Sequence, residues 1–173
     1  MNTDKHRWLR WRRGQATLEY VLVYAGVLLP LTMAMIFTAE MLWVWHSVND
    51  FTRQGASYAA THCWQGGSNV VQWMQNNVPI TFDREQFRTG QVEIQVEYFS
   101  RDAETGELGE FACDGAGCSR ECVPELVRVS ITGYEFRPFL TTLGLPPVPI
   151  PNFQMTLPME SAGCSADEET CQP

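Results

Sequence analysis

The chain lacks the short motifs that carry common chemistry. It holds no Gly-x-Ser-x-Gly elbow, no phosphate-cradling P-loop, no Gly-x-Gly-x-x-Gly dinucleotide fingerprint and no Cys-x-x-Cys pair. Its three histidines are scattered: His6 near the N-terminus, His46 just past an apolar run, and His62 at the end of a predicted helix. None stands where it would pair with a serine or cysteine nucleophile, so no catalysis is expected. A zinc knuckle is missing too. Cys113, Cys118 and Cys122 are spaced by four and three residues, and His62 precedes Cys63, but the short two-residue spacing of a metal loop does not occur. No metal or other cofactor is expected. Basic side chains are scarce after residue 45: residues 46–173 carry 7 against 17 acidic ones, a balance of −10. That sign argues against nucleic acid as a partner.

The most informative absence is local. From Tyr20 to Ala39 there is no Asp, Glu, Lys, Arg or His. As a helix this stretch spans about 30 Å, the thickness of a bilayer's hydrocarbon core. The segment before it is the reverse. Residues 1–14 carry Lys5, Arg7, Arg10, Arg12 and Arg13 against Asp4 alone, a balance of +4. Basic residues flanking one side of a span stay in the cytoplasm, so the N-terminus is expected inside and the remainder exported. The apolar run is too long for an ordinary cleaved signal peptide, and no small-x-small cleavage site follows it. An uncleaved anchor, or a cut before the apolar run, fits better.

The residues leading into the run are Arg12-Arg13-Gly14-Gln15-Ala16-Thr17-Leu18-Glu19-Tyr20. A carboxylate at the edge of a transmembrane helix is costly to bury and asks for a partner. If the chain is cut after Gly14, the amine of Gln15 becomes the new N-terminus, one helical turn from Glu19. The amine of an adjacent subunit could then neutralise that carboxylate and offset its desolvation. Glycine suits the position before the cut, having no side chain to obstruct a protease. Cyclisation of Gln15 would remove the amine's charge while leaving the cut itself intact.

Beyond the run, Trp43 and Trp45 read as an interfacial belt flanked by Glu40 and His46. Val44, Val48, Phe51, Gly55, Tyr58 and Ala59 recur at helical spacing, which predicts an amphipathic continuation to about Thr61. Its small residues, Gly55, Ala56, Ser57, Ala59 and Ala60, permit close approach of another element. Pro30, inside the span, is expected to kink or loosen the helix.

The basic pair, Gly14, and Glu19 at the fifth position after it resemble a type IV prepilin processing site. The Glu19-Tyr20 pair is similar to the Flp/Tad branch. Together with Pro30 and Arg53-Gln54-Gly55-Ala56-Ser57-Tyr58-Ala59-Ala60, these residues resemble the TadE-like family over roughly residues 12–61. Ser57 departs from the arginine common there. A looser echo lies in Leu126–Pro138, a strand leading to a proline. The resemblance implies a minor pilin or pseudopilin in a Tad/Flp (tight-adherence) pilus machinery. It implies cleavage after Gly14 by a prepilin peptidase, with Glu19 and Tyr20 serving assembly. It further implies a single pass through a bacterial inner membrane with a periplasmic C-terminal domain, contact with other pilin subunits, assembly machinery and lipid, and a place in pilus assembly, secretion and adhesion. The competing reading is a signal-anchored periplasmic binding module with no pilus role.

The rest of the chain predicts an α+β, pilin-like layout: a long N-terminal helix followed by a small antiparallel sheet. The expected divisions are a basic leader (1–14), a transmembrane and amphipathic helix (15–63) and a disulfide-stapled domain (64–173). Gln65-Gly66-Gly67-Ser68 reads as a breaker, with Ser68 capping a short helix through Asn76. Alternation predicts strands over Gln91–Phe99, Leu126–Phe136 and Phe153–Met159. Asp102–Gly117 reads as a long acidic loop, and Pro146, Pro147, Pro149 and Pro151 as an extended connector delivering the last strand. All six cysteines (Cys63, Cys113, Cys118, Cys122, Cys164 and Cys171) follow the span, which reads as a disulfide framework with fifteen possible pairings. Cys63 is a candidate for tying the long helix to the acidic loop. Cys164 and Cys171 are close enough to pair locally.

Overall fold

A computed structural model describes residues 15–102, 105–113, 119, 122–137, 144, 146–160 and 164. Two compact units are present, up to Leu42 and from Trp43 onward. One helix, α1, runs over Gln15–Thr61 and contributes to both.

In the first unit α1 is exposed on every side: each residue from Gln15 to Ile36 is exposed, including Leu18, Leu22, Val27, Leu31 and Met35. A helix apolar all round cannot be stable in water, and this one is long and apolar enough to cross a membrane. Its regularity breaks once, at a π-helical turn over Tyr24–Leu28. The Leu29 N–H there reaches back five residues to Tyr24 O, while the flanking Val23 and Leu29 keep ordinary helical dihedrals. Pro30 is the physical cause. Its ring crowds the carbonyl four residues earlier, at Gly26, and it has no N–H to donate there. Widening the preceding turn relieves that crowding without ending the helix. The expected loosening is therefore a shift in hydrogen-bond pattern upstream of the proline.

The second unit holds the remainder of α1, α2 (Gly67–Asn76), α3 (Arg84–Arg88) and six short strands: β1 (Glu93–Arg101), β2 (Leu108–Glu110), β3 (Leu126–Thr132), β4 (Glu135–Phe136), β5 (Val148–Pro149) and β6 (Phe153–Pro158). An antiparallel sheet has the order β2-β1-β3-β6, and β4 pairs with β5 separately. This is the expected α+β arrangement of a long apolar helix and a small antiparallel sheet.

Period-two alternation sorts the sheet's faces. Register aligns Val96, Val129 and Met155 on one face, and Glu97, Arg128 and Thr156 on the other. The first face is apolar, and Val127, Val129 and Ile131 at its centre are fully buried. The second is polar: Arg128 pairs with Glu97 at 3.7 Å and lies over the Phe99 ring at 4.6 Å.

Helix α1 and strand β6 run side by side in the same direction. Trp45 meets Phe153 at the start of β6 (centroids 6.0 Å apart), and Ala60 O accepts from Glu160 N–H at 3.2 Å beyond its end. From Trp45 to Ala60 a helix rises about 22 Å. From Phe153 to Glu160 a strand rises about 23 Å. The two elements are matched in length between these contacts.

The buried stripe of α1 is Val44, Val48, Phe51, Thr52, Gly55, Ala56, Ala59 and Ala60. Small residues dominate its last two turns because α2 lies close. A Cβ at Gly55 would stand 2.5 Å from Met74 Sδ and 2.7 Å from its Cε, and Met74 is fully buried. Phe51 joins Phe82, Phe87 and Tyr134 in an aromatic cluster, with centroid separations from 5.6 to 6.2 Å.

Several sequence-based boundaries change, β1 moving from the expected Gln91–Phe99 to Glu93–Arg101 and β6 ending at Pro158. The helix expected to begin at a Ser68 cap starts at Gly67, directly after a 3-10 turn over Trp64–Gly66. The strand expected to run on to Phe136 breaks at Gly133, whose φ of 77° and closeness to Gln91 O leave no room for a Cβ. The acidic loop contains β2, since the edge of β1 offers Leu108–Glu110 a pairing partner. The proline connector contributes β5.

Gly55→Ala is expected to lower stability by about 1–3 kcal/mol through overpacking against Met74. Met74→Ala in that background should recover part of the loss, read by thermal denaturation in detergent. Tyr98 supplies a second expectation. Its hydroxyl is buried without a hydrogen-bond partner among the described residues, and burial pushes its pKa from 10.0 up to about 12. The folded state thus keeps a proton that the unfolded chain releases, so stability should fall as pH rises from about 10 to about 12. Tyr98→Phe should flatten that alkaline limb in a pH series of melts and stabilise the fold by about 1 kcal/mol at neutral pH.

Candidate functional site

The residues singled out where the apolar run begins form part of α1. Gln15, Glu19 and Tyr20 are all helical and exposed, so Gln15 and Glu19 stand one turn apart on one face. Glu19 makes no hydrogen bond or ion pair among the described residues. The Tyr20 ring stacks on Tyr24, with centroids 6.2 Å apart and planes 21° from parallel. Gly14 and the basic leader lie outside the described residues.

The polar groups of the apolar segment are few, and two of them are satisfied within the helix. Thr32 Oγ1 donates to Leu29 O and Thr38 Oγ1 to Ala34 O, both at 2.8 Å. The Glu19 carboxylate has no such outlet among the described residues. It can accept hydrogen bonds and counter a positive charge, and that is the chemistry its position offers.

Among the cysteines, Cys113 and Cys122 form a disulfide with Cα atoms 6.1 Å apart. Closing this short loop stabilises the fold by about 2–3 kcal/mol in the loop-closure picture. Cys63 and Cys164 are disulfide-bonded as well, and Cys118 and Cys171 lie outside the described residues. The 3-10 turn that follows α1 meets the Cys113–Cys122 loop through Trp64. Its Nε1–H donates to Cys122 O at 2.9 Å, and its ring meets Phe111 edge-on at 5.1 Å. Among the described residues no three His, Cys, Asp or Glu side chains converge on a possible metal position.

Sequence reasoning missed a polar node at α3. Asp83 caps α3 by accepting from Glu85 N–H at 3.1 Å. Gln86, almost fully buried, donates to Glu135 O at 2.8 Å and accepts from Glu135 N–H at 2.9 Å. Its side chain thus serves β4 as a strand neighbour would. Arg137 closes the node through Asp83 at 3.4 Å and Gln91 at 2.8 Å. The Asp83 cap was legible as an acid preceding a short polar run. The role of Gln86 was not, because its partner lies 49 residues away.

No protein-family model, curated protein or solved structure matches the chain.

Pro30→Ala should return the Tyr24–Leu28 turn to regular α-helix. Amide exchange in micelles should then show a newly protected N–H at position 30 and a Leu29 N–H bonded four residues back. Persistence of the five-residue bond would mean that Pro30 is not its cause.

Proposed function

We propose that this chain is a minor pilin or pseudopilin of the TadE-like kind, inserted through α1 in a bacterial inner membrane and acting in assembly of a Tad/Flp-type pilus. In this reading a prepilin peptidase cuts after Gly14, the C-terminal domain faces the periplasm, and other pilin subunits pack against α1. The observation that carries it is Glu19: a carboxylate without a partner among the described residues, exposed on an apolar helix one turn from Gln15. In lipid that group needs a counter-charge, and the amine freed at Gln15 of a neighbouring subunit is the chemically matched one. The basic leader before Gly14 supports the orientation, cytoplasm first and periplasm second, and Trp43 and Trp45 suit an interface at the far end of the span.

Two measurements test the reading. Mass spectrometry of the chain recovered from its native membrane should find Gln15 first, with or without loss of ammonia. An intact Met1 would instead leave a tethered periplasmic module. Glu19→Ala should leave membrane insertion unchanged while reducing assembled pili by about tenfold or more, as expected when one member of a desolvated pair is removed. Normal piliation in that variant would refute the assembly role of Glu19.

A further inference from the structure

Beyond Trp45, two large apolar side chains are exposed among the described residues: Ile80 at 89% and Leu108 at 52%. The Leu108 patch is acidic, and a groove bordering the turn that carries Ile80 holds two arginines. Ile80 lies on the turn between α2 and α3. An open groove of about 580 Å³ borders that turn, lined by Val78 and Phe87 together with Arg84 and Arg88, which stand one turn apart on α3. Glu85 is the acidic member of the lining. Arg84 donates to Val78 O at 3.2 Å, and Arg88 makes no hydrogen bond or ion pair among the described residues. This is a basic, apolar-floored groove on a segment whose overall balance is −10.

Leu108 lies on β2, an edge strand whose three residues are all exposed. Glu107 and Glu110 flank it and are exposed too. Across the ladder Leu108 faces Arg101, which is already paired with Glu125 at 3.9 Å. The patch therefore presents three carboxylates and one guanidinium around an apolar centre.

We propose that the C-terminal domain associates head to tail with a second copy of itself, the β2 edge of one copy seating in the Arg84–Arg88 groove of the next. Leu108 meets the apolar lining at Val78 and the neighbouring Ile80, while Glu107 and Glu110 face Arg84 and Arg88. The two surfaces differ and belong to one chain, so the contact is heterologous and repeats from copy to copy. It acts between copies already confined to one membrane, where the effective concentration is high. The proposal goes beyond the pilin reading and requires only that copies share a bilayer.

The test uses the full chain reconstituted in liposomes, with a benzophenone amino acid replacing Leu108 as a photo-cross-linker. Irradiation should give a cross-linked dimer whose bridge maps to residues 75–88 of the other copy. Arg84→Glu with Arg88→Glu in the acceptor should lower the yield by about tenfold through like-charge repulsion. A probe-bearing chain with Glu107→Arg and Glu110→Arg, mixed with that acceptor, should restore it, which a misfolded acceptor could not do. Raising salt to about 1 M should weaken the unmodified contact without any substitution. Cross-links mapping elsewhere, absence of a dimer, or a yield indifferent to charge reversal and salt would overturn the proposal. Whether the mature chain begins at Gln15 does not enter these outcomes, so this inference and the pilin reading fail separately.

Discussion

Backbone groups in an apolar solvent must find their partners inside the same segment, and that constraint governs the apolar part of α1. A helix satisfies it with bonds between neighbours, so the uncharged stretch Tyr20–Ala39 has little choice of structure. Pro30 threatens the scheme by withdrawing one donor and crowding one acceptor. The π turn at Tyr24–Leu28 answers both within a single turn. The hydroxyls of Thr32 and Thr38 are likewise absorbed by carbonyls of their own helix. Glu19 stands out against this economy as the group left over.

From Trp43 onward the same helix obeys a different rule. One stripe is buried, and its side chains shrink toward the C-terminal end, from Phe51 to Gly55 and Ala59. Small residues there could serve contact between subunits or packing within the chain. For Gly55 the contact is internal, because Met74 of α2 fills the space a side chain would need. Strand β6 accompanies the helix over its matched length. The buried amide of Gln86 bonds both backbone groups of Glu135 in β4, which pairs with β5 as well. The second unit therefore owes its order to close approach and to one well-placed polar side chain as much as to apolar burial.

Charge divides the labour on this domain. Three of its arginines are engaged in local ion pairs, Arg128 with Glu97, Arg137 with Asp83 and Glu135, and Arg101 with Glu125. Among the described residues Arg88 forms no such pair, nor do Glu107 and Glu110, which flank the exposed Leu108. Such exposed pairs add little to folding stability, since water screens them well. Their value lies in orienting an approaching partner.

The amino-acid sequence by itself determined the long helix, its end at Thr61 and the three principal strands, because each rests on a periodicity that a short window contains. It also marked Gly14, Gln15, Glu19 and Tyr20 as an expected processing and assembly motif by their spacing in sequence. Only the tertiary structure decided the rest. β2 exists because β1 has an unpaired edge, and Leu108-Gly109-Glu110 carries no alternation of its own. α3 is too short to show a helical period. Gly133 breaks a strand because Gln91 O stands in the way. The pairing of Cys113 with Cys122 is likewise chosen by the fold from alternatives that spacing alone leaves open.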